Sequence, residues 1–400
     1  MGGSGREAAG QWGRLGVYSL AHCAVDATCL AILWSAYVDR AVSSTAAWSV
    51  FFIYNLLAFA TQPLVGLLVD RGLDARWTTV GGGAAVAVAA ALALAPGGIY
   101  AALAVMALGN AVFHVGGGVV SLRFLPGRAA PVGVFVAPGA AGVLVGTLVG
   151  KGGGAAWSVA LALAGLLLLV ALAATPRLTA PARVVPERSA SVRADDASPF
   201  AGLGWIVVLL LFVVAVRSYV GVALALPWRS DLGLLIALTA GVVAGKAAGG
   251  LLGDRFGWSS VGVGALLVSI PLMLLGEGSA ALGIAGVLIF NMTMPITLAA
   301  QARALPGRPG LAFGACCLAL FAGCALPLAG AATPVPPAAL VALGCLAAVA
   351  LWAGLRLLSE VGWAQTGLER GRGASAAGSL AVSPGLDRLP FVDDAPPPVQ

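Results

Sequence analysis

Apolar runs long enough to cross a lipid bilayer recur along most of this 400-residue chain. A membrane-spanning helix needs about 20 mainly apolar residues. Such segments lie at roughly 15–38, 46–69, 77–95, 98–121, 130–150, 155–174, 203–227, 232–252, 258–275, 279–300, 310–331 and 336–357. Because 60% of the residues are hydrophobic and only 10% are charged, the sequence excludes a soluble globular protein. It predicts an all-α membrane protein with twelve transmembrane helices.

A polar stretch rich in Pro, Arg and Ser divides these segments into two groups of six. We expect a cytoplasmic N-terminus at 1–14, a first six-helix bundle at 15–174, a cytoplasmic linker at 175–202 and a second bundle at 203–358. Residues 359–400 turn to Gly, Ser, Pro and charge, a composition that cannot bury enough apolar surface to fold alone. This last stretch is predicted to be a disordered cytoplasmic tail.

Two short motifs occur once in each half of the chain. Gly66-x-x-x-Asp70-Arg71 ends the second segment, and Gly250-x-x-x-Asp254-Arg255 ends the eighth. Leu125-Pro126-Gly127-Arg128 recurs as Leu305-Pro306-Gly307-Arg308 between the fourth and fifth segments of each half. Since six spans return the chain to the same side, both copies insert with the same orientation, as parallel repeats about an axis along the membrane normal. The sequence therefore predicts two pseudo-symmetric bundles.

The distribution of basic residues predicts the orientation. Seventeen arginines fall on the side of the N-terminus, against three basic residues, Arg40, Lys151 and Arg229, on the other. Cytoplasmic loops of membrane proteins carry such an excess. Both termini should then be cytoplasmic, in a plasma (inner) membrane. The net charge of +6 follows from this topology, so we expect the lipid bilayer and not nucleic acid as the large partner.

The arrangement of segments and motifs resembles the major facilitator superfamily. The resemblance consists of six plus six segments, a central linker, and Gly-x-x-x-Asp-Arg after segments two and eight. It implies a secondary transporter that works by alternating access between its bundles. A carboxylate in that turn can accept hydrogen bonds at a neighbouring helix N-terminus and meet an arginine, holding the cytoplasmic side closed. The expected gating residues are Asp70, Arg71, Asp254 and Arg255.

A narrower resemblance lies in the first, second and fourth segments. His22-Cys23-Ala24-Val25-Asp26, Gln62-Pro63 and Gly109-Asn110-Ala111-Val112-Phe113-His114 are similar to motifs of the fosmidomycin-resistance exporters. That family implies export of a small compound in exchange for protons, as an antiporter.

Ionisable residues inside a span cost about 2.5–3.5 kcal/mol each on insertion scales, so each needs a partner, a cavity or a function. His22 and Asp26 are four residues apart and share a helix face. We interpret them as a proton-coupling pair, with Asp26 carrying the proton and His22 relaying it. The alternative is that they satisfy one another and fix helix packing.

Arginine stays charged at any accessible pH, so Arg217 in the seventh segment must meet an anion. We expect it to bind an anionic substrate and to pair with Asp26 when the site is empty. Lys246 is either a substrate contact or a side chain that reaches the cytoplasmic surface. The amides are either cavity residues or interhelical hydrogen-bonders. The full expected substrate-binding set is Arg217, His114, Asn110, Asn291, Gln62 and Lys246.

No phosphate-binding loop, hydrolase motif or metal-ligand spacing of the six cysteines occurs in the sequence, so we expect no enzyme, no cofactor and no metal. The favoured function is proton-coupled export of a small anionic or polar compound by a monomer. Uptake of an organic anion or amino-acid-like solute is the first alternative. A membrane sensor or scaffold that does not transport is the second.

Overall fold

The computed structural model describes most of the chain, namely residues 2–38, 43–95, 97–152, 155–174, 200–331 and 334–380. The chain divides into two compact units, Met1–Leu358 and Ser359–Gln400. Most of the predicted linker, 175–199, and the end of the predicted tail, 381–400, lie outside the described residues. The predicted bundle and linker boundaries stay predictions.

Helices make up nearly all of the described length of each half. The first half contains α1 (Gly2–Ile32), α2 (Ser44–Asn55), α3 (Gln62–Asp70), α4 (Ala75–Leu94), α5 (Ile99–Phe124), α6 (Ala130–Val136), α7 (Gly139–Gly152) and α8 (Ala155–Ala174). The second contains α9 (Phe200–Ala223), α10 (Leu232–Phe256), α11 (Trp258–Leu275), α12 (Ala280–Asn291), α13 (Thr293–Ala304), α14 (Pro309–Leu326) and α15 (Pro337–Leu380). π-Helical turns occupy Leu33–Val38, Leu56–Ala60 and Pro327–Ala331, and a 3₁₀ turn occupies Pro227–Ser230.

Among the described residues, eleven helical segments are long and apolar enough to cross a membrane. The predicted sixth span corresponds to α8, in which the apolar stretch Ala160–Ala173 is shorter. Large apolar side chains such as Leu64, Leu167 and Trp205 are 65–71% exposed, as expected of a surface that faces lipid. The predicted multi-pass, all-α fold of two six-helix bundles is confirmed.

Three spans are interrupted where the sequence windows predicted continuous helices. A π-helical turn and Thr61 separate α2 from α3, Ala137 and Pro138 separate α6 from α7, and Met292 separates α12 from α13. Each break contains a proline or has one shortly after it: Pro63, Pro138 or Pro295. Proline has no N–H to donate to the preceding turn, so it interrupts the helical hydrogen bonding. Such breaks are tolerated at membrane depth only inside the protein.

The two bundles approach closely along two pairs of helices, α3 with α14 and α6 with α10. Glycines line both contacts. A Cβ atom at Gly66 or at Gly310 would collide with the backbone of the other, and one at Gly250 would lie 2.6 Å from the carbonyl oxygen of Ala129. Small residues let helix backbones meet in membranes. We call the end of the molecule that carries the two Asp-Arg turns the Asp-Arg end; it is predicted to be cytoplasmic.

The glycine contact between α3 and α14 gives a first prediction. Gly66→Ala should destabilise the protein by about 1–3 kcal/mol, because the added methyl group meets backbone atoms that have no rotamer with which to move away. Gly81→Ala is the matched control, since a Cβ there meets nothing within 4 Å and alanine favours helix by up to about 1 kcal/mol. Thermal unfolding in detergent checks both. Equal behaviour of the two variants would contradict the close approach.

Candidate functional site

The carboxylate of Asp26 is the centre of a buried polar cluster in the first bundle. Asp26 lies on α1 one turn after His22, and His22 Nε2 is 3.2 Å from Asp26 Oδ2. From α5, His114 Nε2 lies 3.5 Å from Asp26 Oδ1. The side-chain amide of Asn110 donates to the same oxygen at 3.2 Å. All four side chains are buried, so α1 and α5 place a carboxylate, an amide and two imidazoles together away from solvent.

Backbone carbonyl groups fix the orientation of both imidazoles. His22 Nδ1 lies 2.9 Å from the carbonyl oxygen of Phe135, and His114 Nδ1 lies 2.9 Å from that of Asn110. A carbonyl oxygen only accepts, so each Nδ1 must donate its hydrogen. In a neutral ring the Nε2 atom then carries a lone pair, and both Nε2 atoms face Asp26. The lone pairs of the two Nε2 atoms and of the carboxylate therefore face one another and repel. A proton on either Nε2 or on the carboxylate replaces that repulsion with a hydrogen bond.

The break between α6 and α7 makes room for this cluster. His22 stacks on Phe135, in the last turn of α6, with ring centroids 4.8 Å apart. A Cβ at Gly139, the first residue of α7, would lie 2.6 Å from His22 Nε2 and 2.8 Å from Asp26 Oδ2. Only glycine leaves that space open. The interruption at Ala137 and Pro138 therefore lets the fifth span run directly beside the acid–base group.

His22, Asp26 and His114 also have the donor atoms of a metal site, with one ligand atom from each within 4.8 Å of the others. Two imidazoles and one carboxylate are acceptable ligands for a divalent cation. The ammonium group of Lys246 lies within electrostatic range of both Asp26 and His114. A positive charge on Lys246 disfavours a dication bound at these three side chains.

Arg217 lies in the second bundle, apart from Asp26. Its side chain is 8% exposed and its Nε atom has no hydrogen-bond partner among the described residues. It borders a small cavity between α9, α13 and α14, next to the thiols of Cys316 and Cys317. Within the described residues no ion pair joins Arg217 to Asp26, whose partners are the two histidines. The expected pairing of these two residues is therefore not present in this state.

Lys246 connects the two charged regions. It is half-buried on α10 and lies within electrostatic range of Arg217 on one side and Asp26 on the other. Lys246 thus lies on a helix that packs against the other bundle, where its backbone carbonyl would meet a Cβ at Gly133 at 2.8 Å.

The remaining amides predicted to bind substrate have mainly local partners. Gln62 is fully buried; its amide nitrogen donates to the carbonyl of Ala58 at 2.9 Å, and its Oε1 has no partner among the described residues. Asn291 is half-buried and donates to the carbonyl of Val287, one turn back in its own helix, at 2.8 Å. Asn110 joins two helices, whereas its counterpart Asn291 does not. The duplicated asparagines therefore have different surroundings.

The carboxylates of the two Asp-Arg turns each hold a helix N-terminus of the opposite bundle. Asp70 accepts from the backbone N–H groups of Gly310 and Leu311, both at 2.8 Å. Asp254 accepts from those of Ala129 and Ala130, also at 2.8 Å each. We call these contacts the Asp70 latch and the Asp254 latch. Both satisfy helix N–H groups that lack partners within their own helix, with the charge favoured by the helix dipole.

The two duplicated motifs form these latches together. Each helix N-terminus directly follows a Leu-Pro-Gly-Arg turn, and Gly127 and Gly307 both have φ of 76°, a conformation that favours glycine. Each Asp-Arg turn of one half thus meets the Leu-Pro-Gly-Arg turn of the other. This crosswise pairing explains why both motifs occur twice.

The expected arginine partners of Asp70 and Asp254 are absent among the described residues. Backbone N–H groups bind both oxygens of each carboxylate, and the indole N–H of Trp258 also donates to Asp254 Oδ1 at 2.9 Å. Arg71 is exposed at the end of α3, and Arg255 lies beside the ring of Phe256. Instead, Arg303 donates to the carbonyl of Gly127 at 3.0 Å across the bundle interface.

Some contributors to the site were not predicted from the sequence. The carbonyl of Phe135 and the space at Gly139 come from a helix break that Pro138 signalled. Gln301 was also missed: it is fully buried on α13, and neither atom of its side-chain amide has a hydrogen-bond partner among the described residues. In the sequence, Gln301 is an isolated amide in an apolar segment, and this could have marked it as a candidate.

Solved structures identify the fold. No protein-family model and no curated protein sequence matches the chain. Two structures of FucP are similar to it: the E. coli fucose:proton symporter, with 14% identity and a TM-score of 0.59, and a major facilitator superfamily transporter in the outward conformation, with 13% and 0.60. Each alignment covers 86% of this chain and 98% of the other. The chain has the major facilitator fold.

The human organic anion transporter MFSD10 has the major facilitator fold too. It matches with a TM-score of 0.56 and 15% identity, over 87% of this chain and 98% of that one. At such identities the likeness establishes the arrangement of helices, while the chemistry of the site rests on this chain's own residues.

The different surroundings of the paired asparagines give a second prediction. Asn110→Ala should cost about 1–2 kcal/mol more stability than Asn291→Ala. The first substitution removes a bond to a buried carboxylate, whereas the second removes a bond within one helix. Unfolding of both variants in detergent measures the difference. Equal losses would show that Asn110 does not support Asp26.

Proposed function

We propose that this protein is a secondary active transporter that works by alternating access, with residues 15–174 rocking against 203–358. The observation that carries the proposal is the Asp26 cluster. A carboxylate and two imidazoles are buried inside a membrane bundle of major facilitator fold, where each such group needs a function or a partner. Arg217 and Lys246, on the other side of the interface, form no ion pair among the described residues and supply a place for a solute.

Proton coupling is assigned to Asp26 and His22, with His114 as a second imidazole on the same carboxylate. A proton entering this cluster forms a charge-assisted hydrogen bond between an imidazolium and Asp26. Its departure leaves the carboxylate dependent on the Asn110 amide and on the ammonium group of Lys246, which lies within electrostatic range. Loss of the proton therefore draws the Lys246 side chain of one bundle towards the other. A proton can shift the balance between two conformations only if the interactions differ with and without it, and this attraction is such a difference.

Gating is assigned to the Asp70 and Asp254 latches together with Arg71 and Arg255. The Asp254 latch holds the first turn of α6, and His22 bonds to Phe135 in its last turn, about 10 Å away at 1.5 Å per residue. The Asp70 latch holds the start of α14, which lines the Arg217 cavity with Phe313, Cys316 and Cys317. One latch thus connects to the proton site and the other to the Arg217 site.

The two latches hold the Asp-Arg end closed in this structure. Export of a small anionic or polar compound in exchange for protons is the favoured direction. It rests on the motifs shared with the fosmidomycin-resistance exporters in the first and fourth segments, which include His22, Asp26, Asn110 and His114. Uptake of an organic anion is the second candidate, supported by the fold shared with a proton symporter and an organic anion transporter.

Asp26→Asn tests the proton site and gives a third prediction. The amide cannot exchange a proton, so accumulation driven by a pH gradient should fall at least 10-fold in proteoliposomes. Exchange of labelled for unlabelled substrate should persist. Asp231→Asn is the matched control: Asp231 caps α10 outside the spans through the N–H of Leu234 at 2.8 Å, and asparagine caps equally well.

If Asp26→Asn still accumulates substrate in response to a pH gradient, proton coupling depends on another residue. Absence of flux for every compound in the wild-type protein, with a stable partner protein bound to it, would favour the sensor or scaffold.

The latches give a fourth prediction. Asp254→Asn should accelerate amide hydrogen exchange at least 10-fold in a peptide spanning 127–136, because one acceptor oxygen and the charge are lost from the N–H groups of Ala129 and Ala130. Asp70→Asn should do the same for a peptide spanning 308–314. Hydrogen–deuterium exchange with mass spectrometry reads both, with Asp231→Asn as control. Unchanged hydrogen exchange in both peptides would contradict a gating role for Asp70 and Asp254.

A further inference from the structure

We infer that the substrate of the Arg217 site is an amphiphilic organic monoanion: one carboxylate, sulfonate or singly ionised phosphonate group attached to a short apolar body. The inference rests on the proposed transport function and adds the class of solute. It follows from the charge around Arg217 and from the side chains that enclose it.

The guanidinium group of Arg217 can bind an anion, but it has no anionic partner among the described residues. Its planar guanidinium matches an oxyanion with two parallel hydrogen bonds. Its neighbours are the neutral thiols of Cys316 and Cys317, and its Nε atom is buried without a partner. Leaving a buried charged donor unsatisfied costs more than an ordinary hydrogen bond contributes. A bound anion removes that cost, and a cationic ligand increases it.

The charges at the bundle interface determine how much negative charge the ligand carries. The cationic side chains there are Arg217 and Lys246, and the carboxylate of Asp26 lies within electrostatic range of Lys246. With Lys246 protonated and both imidazoles neutral, this set has one unbalanced positive charge. A ligand with a single negative charge neutralises it, whereas a dianion leaves the buried region negative. Buried charge is tolerated in membranes when it is paired.

The walls of the cavity determine the body of the ligand. Apart from Arg217 and the two cysteines, its lining consists of Val214, Met294, Leu298, Phe313 and Leu320. These side chains offer no hydrogen bond to a hydroxyl group. A polyhydroxylated anion would lose its hydration there without replacement, at a cost comparable to that of burying an unpaired polar group. The cavity of about 20 Å³ has room for little more than one water molecule, so a short aliphatic or aromatic group enters as α9, α13 and α14 separate; it then gains contact area, and Met294 adapts to its shape.

Binding to the full-length protein in detergent tests this class. The probes are hexanoate, acetate, gluconate, hexylamine and hexanol, each measured by calorimetry and by the shift in unfolding temperature. Hexanoate should bind at least 10-fold more tightly than acetate or gluconate, and hexylamine and hexanol should not compete with it. Equal binding of hexanoate and hexanol, or tighter binding of gluconate, overturns the inference.

Substitutions assign the binding to this cavity. Arg217→Gln should abolish hexanoate binding, whereas Lys151→Gln, which removes a cation stacked on Trp34 in the predicted external region, should leave it unchanged. Arg217→Lys keeps the positive charge, and its affinity for hexanoate should be about 10-fold lower. Leu320→Asn keeps the guanidinium group. It should weaken the binding of hexanoate at least 5-fold and leave the binding of acetate unchanged. Because the last two variants retain the buried charge, they test the site even if Arg217→Gln fails to fold. Hexanoate affinity that is the same in all these variants overturns the inference.

Flux measurements separate this inference from the proposed function. Hexanoate that binds through Arg217 but is neither transported nor an inhibitor of any flux supports the ligand class and overturns transport. Proton-dependent flux of a neutral or cationic solute that hexanoate does not inhibit supports transport and overturns the ligand class.

Discussion

The cost of placing a charge in hydrocarbon governs the arrangement of this protein. Asp26 is buried with two imidazoles and an amide around it, so its negative charge has partners in the first bundle itself. Arg217, in the second bundle, has none among the described residues. Lys246 lies within electrostatic range of both. The first bundle therefore holds a buried carboxylate with its partners beside it, and the second holds a buried positive charge without an anionic partner among the described residues. Two structurally similar halves have acquired different chemistry.

Hydrogen bonds between the halves follow a second constraint, the unsatisfied N–H groups at helix N-termini. Four such groups, on α6 and α14, donate to two carboxylates from the opposite bundle. The helices come close enough because glycines occupy the contact positions, where any Cβ would meet backbone atoms. The Asp254 latch has a third donor, the indole N–H of Trp258 at 2.9 Å from the carboxylate.

The interrupted fifth span brings these two constraints together. Because α6 ends at Val136, its last carbonyl groups are free to accept, and that of Phe135 bonds to His22. The same short helix begins at the Asp254 latch. α6 therefore contacts the Asp26 cluster at one end and the Asp254 latch at the other. The corresponding span of the second half, α14, runs from the Asp70 latch to the Arg217 cavity without such a break.

The sequence by itself determined the membrane class, the helical segments and the duplication, because hydrocarbon requires long apolar helices and because both motifs recur in each half. It also determined that His22 contacts Asp26, since residues four apart share a helix face. Only the tertiary structure decided which helices meet: that His114 and Asn110 of α5 join Asp26 while Arg217 does not, and that each Asp-Arg turn binds the opposite half. Those contacts depend on helix rotation, on close approach at glycines and on breaks at Pro63, Pro138 and Pro295. Such features arise from packing between distant segments, which local periodicity does not encode.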